Sequence, residues 1–212
     1  MRRLAAFAVL AFALAACQTP QVAYNPRADF SQIKRVAVVT FSGSQGDLAA
    51  DLLTQSLVAR GADVIERQQL SAVLAEQHLA TSGILDPSTV QQIGKILGVD
   101  ALFVGTVGQS TPSQSYMVTG SRHSLMSQVT PVNGSVVVPE GPVLGVPNSQ
   151  VVTTEANAAI IARMVDVTTG SILWSASMNY EGFDTQSAMQ GITDAFAESL
   201  VPIWPQLLPP KR

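Results

Sequence analysis

The chain has 212 residues, of which 47% are hydrophobic and only 13% charged, which suits one globular domain and excludes an acidic disordered tail. The formal net charge is −3, and −5 once Arg2 and Arg3 are discounted, so no basic surface for nucleic acid is expected. Cys17 is the sole cysteine and His78 and His123 the only histidines, which excludes an internal disulfide and a Cys/His zinc cluster.

Taken in order, the chain starts with Met1-Arg2-Arg3 and an uncharged apolar run from Leu4 to Ala16. That run is shorter than the roughly 20 residues a membrane-spanning helix needs. A positive start, a short apolar stretch and small residues before a cut are the parts of a secretory signal peptide. Leu14-Ala15-Ala16-Cys17 resembles the bacterial lipoprotein signal, which implies cleavage after residue 16 and acylation of Cys17. Gln18 is not aspartate, and by the same resemblance the destination is the periplasmic face of the outer membrane. Residues 17–33, with prolines and no periodicity, read as a tether.

The domain is expected over 34–205. Val36 to Phe41 is a near-continuous apolar run, as in a strand covered on both faces. Gly43 to Asp47 is a glycine turn without the Lys-Ser/Thr of a nucleotide loop, and an N-capped helix follows with Ala49, Leu52, Leu53 and Leu57 on one face. Gly61 ends it, and Val64-Ile65 is a short strand. Gln68 to His78 predicts a second helix, with His78 at its C-terminal end near the helix dipole. Asp86-Pro87-Ser88 opens a third, with Val90, Ile93 and Leu97 buried and Gly98 at its end. Ala101 to Val107 is the next buried strand. Strands alternating with helices give the fold class: α/β, one domain with a mixed sheet and packed helices.

From Gly108 to Thr154 the pattern gives way to a Ser-, Gly-, Pro-, Thr- and Val-rich insert, with Tyr116 its only aromatic. Val151 to Thr153 and Ser135 to Val138 suggest strands of an extended hairpin, and Asn133-Gly134 a turn. Order returns at Ala158 to Val167. A turn over Asp166 to Gly170 leads to a half-buried strand in which Ile172, Trp174, Ala176, Met178 and Tyr180 face inward. Met189, Ile192, Phe196 and Leu200 stripe a last helix, stopped by Pro202 and Pro205, and 206–212 read as a tail.

Three stretches, in order and behind the lipoprotein signal, resemble the CsgG family of outer-membrane lipoproteins, named for the curli assembly component. They are Val64-Ile65-Glu66-Arg67 with Leu70, Leu74 and Glu76-Gln77; Ile93-Gly94 with Leu97 to Ala101 and Gly105; and Arg163, Val165-Asp166, Thr169-Gly170, Ile172 and Trp174. Glu66 and Arg67 either solvate an edge or meet charges of a neighbouring subunit. The resemblance implies the CsgG-like fold and a family whose channel is a ring built from two membrane-spanning hairpins per subunit. This chain departs from that pattern. Its insert bears Pro131, Pro139, Pro142 and Pro147, there is no room for a second hairpin after Tyr180, and the loop after Phe41 lacks the residues that narrow the family's pore. A non-pore-like member is expected.

The function expected is an outer-membrane lipoprotein, held by lipid on Cys17, that acts through protein contacts in assembling an envelope or curli-type secretion complex. Its expected partners are the membrane, an envelope protein and a possible second copy of itself, and no nucleic acid. A regulator of a peptidoglycan synthase, like the lipoprotein activators of penicillin-binding proteins, is the alternative. A periplasmic hydrolase is a weaker one, because neither histidine sits beside a nucleophile in a recognisable motif. No catalytic residue, metal ligand or cofactor is expected.

Overall fold

The order of elements reproduces the α/β reading and adds to it at both ends of the chain. The structure, a computed structural model, describes residues 19–65, 87–119 and 149–209. In chain order these form β1 (Gln21–Tyr24), a 3-10 turn (Phe30–Gln32), β2 (Arg35–Val38), α1 (Gly46–Ala59), β3 (Asp63–Ile65) and α2 (Pro87–Leu97). There follow β4 (Ala101–Thr111), β5 (Gln114–Thr119), β6 (Ser149–Thr154), β7 (Ala156–Asp166), β8 (Ile172–Gly182) and α3 (Thr185–Leu200).

Six strands form one mixed sheet in the order β1-β8-β7-β4-β2-β3, parallel across β3-β2-β4 and antiparallel elsewhere. Period-two alternation decides what each face buries. On one face Val36, Val38, Phe103, Ile160, Met164, Trp174 and Ala176 meet α1 and α3. On the other, Ala37, Val39, Leu102 and Val104 meet Val90 of α2 and Val167. Helix α3 presents Met189, Ile192, Phe196 and Leu200, all fully buried, as its stripe requires. The aromatic centre is Trp174, whose ring stands edge-on to Phe103 at 6.1 Å and to Phe196 at 5.8 Å.

Between α1 and α3 lies a polar cluster rather than more hydrocarbon. Ser56 donates to Asp194 Oδ1 at 2.6 Å, Gln190 donates to the same oxygen at 3.0 Å, and the Arg60 guanidinium reaches the carbonyls of Ser56 and Asp194. Grouping these polar atoms satisfies donors and acceptors that burial would otherwise strand, the Arg60 Nε excepted, and fixes how the two helices slide on one another.

Several sequence readings are corrected. The stretch read as a tether joins the fold from Gln21 on: β1 pairs with β8, and Phe30 and Ile33 are buried. The Trp204 indole donates to the Ile33 carbonyl at 3.0 Å, so the segments around Ile33 and Trp204 pack together. The tail is corrected likewise, because Leu207 is buried and the Leu208 amide donates to the Arg60 carbonyl. The N-cap of α1 is Gln45 in a left-handed conformation (φ 60°) with no side-chain cap bond. Ile172 is half exposed and Leu173 buried, because the β7–β8 register slips between Met164 and Val165 and turns the strand over by one residue. Helix Gln68 to His78, Glu66, Arg67, Cys17, His123 and the Ser135 to Val138 strand lie outside the described residues.

Helix α3 is capped as the sequence does not advertise. Asp184 accepts from the Ser187 amide at 2.7 Å, while the Ser187 hydroxyl accepts from the Asp184 amide at 3.0 Å. The Ser187 amide, and then its hydroxyl, hold the Asp184 carboxyl below the ordinary aspartate range. A depressed folded-state pKa stabilises above the unfolded value near about 4 and ceases to do so as pH falls through the folded value. The melting-temperature gap between the native chain and Asp184→Ala is therefore expected to be full at neutral pH and to narrow on acidification below about pH 4. Thermal melts across that range measure it.

Candidate functional site

The stretches that carry the family resemblance do structural work where they are described. Asp100 closes the base of the sheet: its Oδ2 accepts from the amides of Lys34 and Arg35 at 2.8 and 3.0 Å. Its carbonyl also receives the Val167 amide, so one residue ties the starts of β2 and β4 to the β7–β8 turn. In that turn Asp166 accepts from the Thr169 amide at 2.6 Å and its hydroxyl at 2.8 Å, and Gly170 sits at φ 72°, where only glycine is unstrained. Gly94 lies against Val167 and Gly105 against the Phe41 ring, each without room for a Cβ. Trp174 is the core aromatic. These residues set the shape of the domain.

Arg163 differs. Its backbone pairs with Val104 of β4 and Ser175 of β8, and its Nε is buried with no hydrogen-bond partner among the described residues. Ile161 is half exposed, and Thr19, Gln21, Ala159, Ser177 and Asn179 line a shallow groove of about 500 Å³. Small and polar side chains across β7, β8 and β1 leave a flat surface, suited to contact rather than to enclosing a small molecule.

The described ends of the insert follow on from the sheet as a separate pair of strands. Strand β4 runs on through Gly108, where one extra residue bulges against β7, to Thr111. Thr111 pairs with Asn157, and three residues further Gln114 pairs with Thr154, so β5 and β6 keep the register that β4 and β7 have reached. Pro112 has no amide to donate, and the ladder is interrupted there without a change of register. A two-stranded ribbon thus leaves the sheet, and Val151 to Thr153, expected as a strand, belongs to it. At the other side β8 ends at Gly182 and α3 begins at Thr185, so Phe183 and Asp184 alone connect them, which is the short passage the sequence implied.

Among the described residues no group of three or more His, Cys, Asp or Glu is placed to hold a metal. Among them too, no helix is long and apolar enough to cross a membrane. Cys17, the expected lipidation site, falls two residues before the first described one.

A mixed six-stranded sheet with helices on both faces and a ribbon running out from its inner strands defines the α/β scaffold. The chain belongs to the CsgG family: the model of the curli production assembly/transport component CsgG matches residues 7–201. Among solved structures, a PelC dodecamer from Paraburkholderia phytofirmans is 15% identical, with a TM-score of 0.46, covering 90% of this chain and 97% of its own. The LpoB C-terminal domain from Salmonella enterica is 16% identical, with a TM-score of 0.42, covering 74% of this chain and 89% of its own. Lipoprotein GNA1162 from Neisseria meningitidis is 15% identical, with a TM-score of 0.41, covering 70% of this chain and 81% of its own. No curated protein matches the chain in sequence.

Proposed function

We propose that this protein is an outer-membrane lipoprotein, anchored through acylated Cys17 on the periplasmic side, that helps assemble an envelope or curli-type secretion complex through protein contacts. The observation that carries the reading is the family match, which runs from residue 7 through Cys17 to residue 201 and so takes in the signal and the domain together. The open strands β1 and β3 support it. Among the described residues each pairs with a strand on one side only, and an envelope partner or a second copy can add a strand on the other. Val22 and Tyr24 stand exposed on β1 as apolar contacts beside that edge.

A single acyl chain holds a protein only marginally, whereas three hold it firmly. Cys17→Ala is therefore expected to abolish acyl incorporation and to release the protein from washed envelopes into the soluble fraction. Metabolic labelling with a fatty acid and fractionation measure both. Undiminished retention of Cys17→Ala in the washed membrane would overturn the anchor.

A further inference from the structure

Strand β1 offers a partner a short and well-defined stretch of backbone. The Asn25 amide donates to the Leu173 carbonyl at 2.8 Å, so Asn25 faces β8. Backbone groups of an antiparallel strand point alternately to its two sides, which turns Gln21 and Ala23 towards β8 and Val22 and Tyr24 away from it. Among the described residues nothing pairs on that outer side. Pro20 falls at the next outward position and has no amide to donate. Pro26 ends the strand in a turn, closed by the Ala28 amide on the Asn25 carbonyl. Between the two prolines only Val22 and Tyr24 present both a donor and an acceptor outwards. Exposed edges are commonly guarded by charge, yet no charged residue occurs from Cys17 to Pro26. Strand β3, at the other edge, does carry one: Asp63, in an ion pair with Arg35 at 2.9 Å.

We infer that β1 is the docking edge for an uncharged, extended segment of another envelope protein, which rests on the contact reading above. Val22 and Tyr24 lie opposite Ala176 and Trp174, on the α3 side of the sheet, and are 39% and 53% exposed. A strand added antiparallel there gains about four backbone hydrogen bonds and sets two of its own side chains beside theirs. Apolar residues are favoured at those two positions, because cross-strand pairs with Val and Tyr leave water together. On the opposite face the neighbours are Gln21 and Ala23, which accept small polar side chains. The segment that fits is about five residues long and alternates apolar with small polar residues. It carries no charge, because the edge offers none to meet it. A second copy fits less well. Antiparallel pairing of β1 with its own copy sends the two Cys17 residues to opposite ends of the joined sheet, and the β3 edge of a copy carries Asp63.

The test is amide hydrogen exchange, followed residue by residue, on the full lipidated chain in phosphatidylcholine vesicles. The probe is the peptide Thr-Val-Thr-Val-Thr, its threonine amides N-methylated so that it does not stack on itself. A counterpart methylated on the valine amides instead lacks the edge that pairs. Val22 and Tyr24 are expected to exchange freely alone and to slow about tenfold or more at saturating peptide, while Ala23, bonded to β8, is unchanged. The counterpart is expected to slow neither. Free exchange that the peptide leaves unaltered overturns the inference. Slow exchange before any peptide is added overturns it as well, and slowing that rises with protein density assigns the edge to a second copy. Native gels of envelope extracts separate this from the contact reading. The native chain is expected in a larger complex than the Val22→Pro, Tyr24→Pro double variant, which loses both outward amides and keeps the bonds to β8. A melt shows that the variant folds, and the peptide measurement needs no variant. A double variant that stays in the complex overturns the docking edge and leaves the contact reading standing. A native chain found in no complex overturns both.

Discussion

Trp174→Ala is expected to cost about 3–5 kcal/mol, a large part of the 5–15 kcal/mol that holds most domains. The indole is fully buried between Phe103 of β4 and Phe196 of α3, so its loss leaves a cavity at the joint between sheet and helix. For a chain of this length that corresponds to a fall in melting temperature of roughly 6–20 °C. Phe183→Ala in the soluble domain serves as the comparison, since an exposed ring contributes within about 0.5 kcal/mol. Urea titration of both variants measures the difference. A small loss for Trp174→Ala would mean that the aromatic cluster is not the core.

Gly46→Ala is expected to be the most damaging change of a single methyl group. A Cβ on Gly46 would stand inside the van der Waals envelope of the Phe41 carbonyl oxygen, and Phe41 is itself buried beyond the end of β2. The obstacle is backbone, which yields only if the turn between β2 and α1 moves. Forcing extra volume into a packed site costs about 1–3 kcal/mol, and a backbone obstacle puts this case at the top of that range. Gly108→Ala makes the contrast, because its nearest neighbour to a new Cβ is the Ala159 carbonyl at 3.9 Å. Denaturant midpoints are expected to fall clearly for the first and barely for the second. Equal midpoints would show that the turn is loose.

Much of this fold is legible in the residues because local pattern and burial agree. The stripe of α3, the Asp166 to Gly170 turn and the buried start of β4 all lie where periodicity and turn chemistry put them. What escapes the sequence depends on partners far along the chain. Strand β1 is four residues without a strong pattern, and it exists because β8 offers an edge to pair with. Leu207 is buried because Trp204 is fastened to Ile33, a contact across 171 positions. The slip that turns Ile172 outward is a matter of register, invisible to alternation alone. The insert is informative in a different way: its composition hides a ribbon whose register is inherited from β4 and β7, and Pro112 disguises the continuity. Of the candidate site, Cys17 is legible only in the sequence, whereas the unpaired Arg163 and the bare Phe183 emerge only from the structure.

We propose a lipid-anchored contact module that does not form a channel alone. In hydrocarbon every backbone polar group needs a partner, so a barrel must close completely. Here β8 reaches α3 through Phe183 and Asp184 alone, which leaves that connection no strands to contribute. Conductance of the purified lipidated protein in a planar bilayer is the most direct measurement. No steps above the bare bilayer are expected at any protein density, with the protein shown by flotation to be membrane-bound. Stable, reproducible steps of one size, from a heat-labile ring seen on a gel, would contradict the account.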